Sequence, residues 1–125
     1  MMIKKTRPIW ESVRDALEGI MYTLKTQRNM RLHGSMTVFV LVCGYFLRVP
    51  ALEVLFLLSA VAFVVVTEMV NTGIESTVDL ITDEYNEQAR IAKNVAAGAV
   101  LTASLYALVV GYLVLGRRLL QWFGG

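Results

Sequence analysis

The sequence predicts an all-α membrane protein, in which an amphipathic helix on the bilayer surface precedes three helices that cross it. Three observations carry this expectation. The chain has 125 residues, is 56% hydrophobic and has a mean hydropathy of +0.57, too apolar for an ordinary soluble domain and too short for more than a few spans. Its apolar residues gather in three runs, Leu32–Leu47, Val54–Thr67 and Val95–Gly116. Ahead of them lies a polar segment whose apolar residues recur at helical spacing. One domain, 1–125, is the natural reading.

In the leading segment Ile9, Trp10, Val13, Ala16, Leu17, Ile20, Met21 and Leu24 recur every three or four residues, and Glu11, Ser12, Arg14, Asp15, Glu18 and Lys25 take the other face. Beside membrane spans, such a helix (about 8–29) lies on the bilayer with Trp10 at the interface. No apolar h-region follows the early lysines and no small-residue cleavage pattern is present, so a signal peptide is not expected. The first span, about 31–48, is short. Its 16 apolar-run residues make roughly 24 Å of helix, and Arg31 and Arg48 at its ends must snorkel. Arg48-Val49-Pro50 breaks the pattern and turns the chain into the second span, about 51–80. Only 14 residues separate Glu53 from Glu68, so a helix long enough to cross must carry Glu68 at or inside the membrane edge. The third span, about 92–116, contains the 22 uncharged residues Val95–Gly116.

Basic residues set the orientation. Lys4, Lys5, Arg7, Arg14, Lys25, Arg28 and Arg31 precede the first span, and Arg90 and Lys93 lie between the second and third; only Arg48, Arg117 and Arg118 fall on the other side. This bias places the N-terminus and the 80–94 connection in the cytoplasm and the C-terminus outside.

The most informative feature is the stripe Glu68, Asn71, Glu75 and Asp79. Spacings of three, four and four put all four side chains within an arc of about 80° on one helix face. An acid at the centre of a membrane helix costs roughly 2.5 to 3.5 kcal/mol, less toward the interface, so the stripe reads as a functional site that shares a cation. Lys93, just before the last span, is placed either to bind phosphate or to anchor the helix at the membrane surface. The lone Cys43 excludes an intrachain disulfide and packs as a small apolar residue. No nucleotide-binding glycine loop and no GxSxG or HExxH signature occurs, which excludes the common hydrolase and P-loop classes. His33 reads as an interfacial or supporting hydrogen-bonding group, Trp122 as an anchor at the outer end, and Gly98, Gly111 and Gly116 as points of close helix approach.

The run Glu68-Met-Val-Asn-Thr-Gly-Ile-Glu-Ser-Thr-Val-Asp-Leu-Ile-Thr-Asp83, with Ala89-Arg-Ile-Ala-Lys-Asn-Val-Ala-Ala-Gly-Ala-Val-Leu101, resembles the small prokaryotic diacylglycerol kinase and undecaprenol kinase family. Arg28-Asn29-Met30-Arg31-Leu32-His33 and several surface-helix residues extend the likeness to about residues 10–116. The resemblance implies a homotrimer in the bacterial cell membrane with composite sites between subunits, transferring the γ-phosphoryl group of ATP to a lipid hydroxyl with Mg2+. It implies Glu68 as general base, Glu75 and Gln27 as metal ligands, and Arg14, Asn71, Glu75, Asp79, Lys93 and Asn94 as nucleotide-binding residues. Glu68, Arg28 and Asn29 would meet the lipid, and no nucleic-acid partner is expected. The family usually has Glu at the position of Gln27 and Asp at that of Asn94, and each amide keeps the shape of the acid while removing its charge. Val78-Asp-Leu-Ile-Thr-Asp83 with Ala96-Ala-Gly-Ala-Val100 resembles the undecaprenol-phosphorylating branch; the alternatives are a diacylglycerol kinase and a catalytically degenerate membrane subunit of the same fold.

Overall fold

The computed structural model describes residues 6–124, and every regular element in that range is helical. The order is α1 (Ile9–Thr26), α2 (Arg28–Phe46), α3 (Ala51–Ile81) and α4 (Glu87–Gly111), which runs through a π-helical turn (Tyr112–Gly116) into α5 (Arg117–Phe123). Lys4 and Lys5, counted toward the orientation, lie outside the described residues.

α1 and α2 are separated by Gln27 alone, whose backbone is extended (φ −110°, ψ 113°). The elbow is tied from both sides. Gln27 N donates to Thr23 O at 2.9 Å, and the Arg31 guanidinium donates to the otherwise orphaned carbonyls of Leu24 and Lys25 at 3.1 and 2.9 Å. Arg28 and Asn29 therefore open α2. Most of the apolar face of α1 is left uncovered among the described residues: Ile9, Trp10, Val13, Leu17 and Met21 are all at least half exposed.

α2 ends in a Schellman turn. Arg48 N donates to Tyr45 O and Val49 N to Gly44 O, with Arg48 at φ 53° in the left-handed position that normally goes to glycine. Pro50 then precedes α3. The turn joining α3 to α4 is short, and α4 begins earlier than its apolar run because Asn86 Oδ1 accepts from Ala89 N at 3.1 Å and caps the helix, with Glu87 in the first turn.

The core is the long α3–α4 contact. α3 buries Leu57, Ala60, Val64, Glu68 and Thr72, a single stripe, against Ala96, Ala103 and Val110 of α4 and Val114 and Leu115 of the π turn. Alanines at 60, 96 and 103 let the two helix axes approach closely. Phe63 and Tyr106 meet edge to face at 5.9 Å, and the Tyr106 hydroxyl reaches Ser59 Oγ at 3.3 Å. Helical hydroxyls turn inward on their own helix: Thr37 donates to His33 O, Thr67 to Phe63 O, Thr72 to Glu68 O and Thr102 to Gly98 O, so each of these four donors is paired within its own helix.

Among the described residues two helices are long and apolar enough to cross a membrane, Ala51–Ile81 and the continuous rod Glu87–Phe123. Only 22% of the most apolar window of each is buried within the chain, so most of that apolar surface faces outward. α2 has 19 residues, but its first half carries Arg28, Arg31, His33, Ser35 and Thr37, which dilute its apolar character. α3, at 31 residues, is about 46 Å long and outruns a hydrocarbon core of about 30 Å, so its polar last turns project beyond the apolar stretch.

Candidate functional site

The helical period that buries Leu57, Ala60 and Val64 carries on to Glu68 and Thr72, so the acid at position 68 is buried by the same geometry that builds the core. Glu68 is 3% exposed. Among the described residues its carboxylate makes no hydrogen bond, and one basic side chain lies within 4 Å of it: His33 of α2, with Nε2 3.8 Å from Oε2. That neighbour was not legible in the sequence as a contact, because residues 35 positions apart on separate helices share no period.

One turn further along α3, Asn71 Nδ2 donates to Glu75 Oε1 at 3.4 Å. Among the described residues Asn71 Oδ1 is buried without a partner. A buried amide oxygen left unpaired costs of the order of 1 to 3 kcal/mol, so its retention beside a carboxylate points to a ligand that the chain alone does not supply. Two turns beyond Asn71, Asp79 accepts from Lys93 Nζ of α4 at 2.7 Å, an ion pair bridging the two helices at the rim of the site. The stripe is thus graded. It begins with a buried acid, continues through a half-buried amide–carboxylate pair with a free oxygen, and ends in an exposed acid that holds a cation.

The remaining expected residues are not drawn into this network. Gln27 sits at the α1–α2 elbow, its amide donating to Thr26 Oγ1 at 3.5 Å. Arg14 lies on exposed α1 with its guanidinium 5.5 Å from the centre of the Trp10 ring. Arg28 and Asn29 are exposed in the first turn of α2, and Asn94 is exposed beside Lys93 on α4. Among the described residues no hydrogen bond or ion pair joins any of these five to Glu68, Asn71, Glu75 or Asp79, and no three His, Cys, Asp or Glu side chains gather closely enough to hold a metal by themselves. On the apolar, N-terminal side of Glu68 along α3, a groove of about 530 Å³ runs between α2, α3 and α4 from His33 and Met36 past Val64, Leu57 and Leu115 to Leu119, lined almost wholly by apolar side chains.

The opposite end of the bundle holds a second charged pair. Arg118 of α5 donates to both carboxylate oxygens of Glu53 at the start of α3, at 2.7 and 3.3 Å, and to Val114 O at 2.7 Å. The π turn sets the rotation of α5 that makes this reach possible. In that turn Gly116 packs against Tyr112, whose Cδ2 would stand 3.0 Å from a Cβ added at position 116.

Comparison with known proteins gives this arrangement a family. The model of the family described as prokaryotic diacylglycerol kinase matches residues 14–115. The chain is 35% identical over 96 residues to an undecaprenol kinase of Bacillus subtilis, covering 77% of this chain and 78% of that protein. It is 42% identical over 101 residues to a diacylglycerol kinase of Synechocystis, covering 80% of this chain and 58% of that longer protein. A diacylglycerol kinase of Escherichia coli is 33% identical over 98 residues, with 78% of this chain and 80% of that one aligned. A match across most of the chain, with relatives above 30% identity, makes this protein a member of the prokaryotic diacylglycerol kinase family of lipid kinases.

Proposed function

We propose that the protein transfers the γ-phosphoryl group of ATP to the hydroxyl of undecaprenol, with Glu68 as general base. The observation that carries the reading is the graded stripe: a nearly fully buried carboxylate, then the free Asn71 oxygen beside Glu75, then Lys93 held at the rim by Asp79. From Glu68 to Asp79 the helix rises about 16 Å, room for the acceptor oxygen at one end and the nucleotide at the other. The buried acid stands where an apolar chain lying in the groove would end in its hydroxyl, and the polar end stands where a nucleotide would enter.

The donor set suits a hard divalent cation. Magnesium takes oxygen ligands and keeps several of them as water and phosphate, so one carboxylate (Glu75) and one amide oxygen (Asn71) are an adequate protein share. Gln27, expected with Glu75 as a metal ligand, contributes from the elbow. Bound there, the ion would neutralise phosphate charge during transfer. The chain's own residues then do the rest. Glu68 takes the hydroxyl proton, and Lys93, released from Asp79, meets the phosphates, with Asp79 positioning its ammonium between turnovers. Arg14 and Asn94 complete the nucleotide contacts, and Arg28 and Asn29 hold the lipid headgroup region at the elbow.

α2 serves as a third, short span. The exposed apolar faces of α2, α3 and α4 are covered by lipid and by two further copies of the chain, and α1 lies on the surface at the cytoplasmic side of the bacterial cell membrane. Undecaprenol is preferred over diacylglycerol because of the resemblance at residues 78–83 and 96–100, and the two curated names among the relatives keep both acceptors in the test. The test is purified protein in phospholipid vesicles with ATP, Mg2+ and either alcohol. Higher kcat/KM for undecaprenol is expected. Better turnover of diacylglycerol reverses the acceptor, and no phosphorylated lipid from either supports a degenerate subunit, in which Gln27 and Asn94 have disabled the site.

A further inference from the structure

We propose that His33 binds the acceptor hydroxyl together with Glu68, donating from Nε2 to the oxygen whose proton the carboxylate removes; this rests on the lipid-kinase reading above. The separation of 3.8 Å between His33 Nε2 and Glu68 Oε2 is too long for a direct hydrogen bond, whose heavy atoms stand about 2.7 to 3.2 Å apart. It matches two groups that share one bridging oxygen about 2.8 Å from each. The chemistry of the gap is selective. One wall is an N–H donor and the other a carboxylate, so the occupant must accept from one side and donate to the other, which a hydroxyl does with a single atom. A phosphate or carboxylate in the same place would face Glu68 with like charge, and an ammonium has no lone pair for the imidazole proton. A carboxylate opposite the ring favours the tautomer with its proton on Nε2.

Position reinforces the argument. His33 lines the apolar groove, so a hydrocarbon chain lying against Met36, Val40 and Val64 would bring a terminal hydroxyl past the imidazole before it reached Glu68. In the transfer the O–H bond breaks with its proton passing to Glu68, a new bond forms from that oxygen to the γ-phosphorus, and the bond to the β–γ bridging oxygen breaks with its electron pair leaving on ADP. His33 keeps its proton throughout. Its part is to hold the oxygen so that the remaining lone pair points along the line of attack, a contribution of orientation rather than of proton transfer.

The experiment compares wild type, His33→Phe, His33→Gln and Glu68→Gln in phospholipid vesicles, varying undecaprenol and ATP separately and recording thermal unfolding in detergent. His33→Phe should lower kcat/KM for undecaprenol by about tenfold or more, the loss of one hydrogen bond to a reacting group, while KM for ATP and the melting temperature stay near wild type. His33→Gln, whose amide can still donate, should recover part of that loss. A His33→Phe protein with wild-type kcat/KM for undecaprenol overturns the proposal; so does one in which both KM values rise together as the melting temperature falls, because that is what a packing role predicts. If Glu68→Gln is inactive and His33→Phe is not impaired, only the His33 assignment fails. If wild type phosphorylates no lipid alcohol, the kinase reading fails and takes this proposal with it.

Discussion

The two ends of the α3–α4 pair treat their charges in opposite ways. At one end Arg118 meets both oxygens of Glu53 and then the Val114 carbonyl, so donors and acceptors are matched and the pair closes on itself. At the other end, among the described residues, Glu68 is buried with no hydrogen bond to its carboxylate, Asn71 Oδ1 is buried with no partner, and Lys93 is paired with an acid at the rim. Both ends carry acids at the margin of an apolar helix, and both bear a desolvation cost. Only the first recovers it within the fold. Polar groups held at a cost and left incomplete mark the place where a ligand completes them, whereas a completed pair marks a brace.

The largest break in this comparison should come from Glu68→Gln. If the incomplete end is the reacting end, removing the base lowers turnover by about a hundredfold or more, since positioned proton removal contributes 10²- to 10⁴-fold, while the melting temperature stays level or rises because a buried charge has been deleted. Wild-type turnover under conditions where chemistry limits the rate would put the base elsewhere. Glu75→Gln comes next. It should shift the magnesium concentration for half-maximal activity upward by about tenfold, and the shift should shrink at saturating metal; a fall in kcat that magnesium cannot restore would remove Glu75 from the metal site.

How much of this was legible beforehand follows from which relations are periodic. The stripe Glu68, Asn71, Glu75 and Asp79 is a relation within one helix, so spacing alone revealed it, and α3 presents it on one face as expected from a 3.6-residue turn. The apolar face of α1 was legible for the same reason. Contacts between helices were not: His33 with Glu68, Lys93 with Asp79 and Arg118 with Glu53 depend on how helices are rotated against each other, which the π turn at 112–116 and the elbow at Gln27 set without a clear sequence signal. Lys93 could be drawn toward the site because it stands close before a span, but its partner could not be named. The start of α4 at Glu87 lies ahead of the span expected from about 92, because an expectation drawn from the uncharged run beginning at Val95 takes no account of Asn86 and Glu87, a cap and an acidic first turn.

The brace gives the complementary test. Glu53→Gln and Arg118→Met should each lower stability in detergent by roughly 1 kcal/mol, because both side chains remain about a third exposed and solvent screens the pair. The double variant should lose less than the sum of the two, the signature of a direct interaction. Specific activity per folded molecule should not change. A loss of activity as large as that of Glu75→Gln would mean that the two ends are coupled through α3 and that the contrast between them is wrong.

The smallest expected effect belongs to Gln27, and it sharpens the contrast from the side of the incomplete end. Position 27 is the one residue between α1 and α2, with extended backbone, and among the described residues its side chain makes a single long hydrogen bond, to Thr26 Oγ1, so it can turn toward a ligand without disturbing either helix. An amide oxygen binds a hard dication more weakly than a carboxylate does. Gln27→Glu should therefore lower the magnesium concentration for half-maximal activity by a few-fold and tighten ATP binding, with the melting temperature in the absence of metal unchanged because the two side chains have nearly the same shape. The gain should disappear in a Glu75→Gln background if both residues hold one ion, and should persist undiminished if they do not, since independent sites add. A titration in which Gln27→Glu alters neither magnesium dependence nor ATP affinity would remove the elbow from the metal site and leave Asn71 and Glu75 as the whole of the protein's contribution.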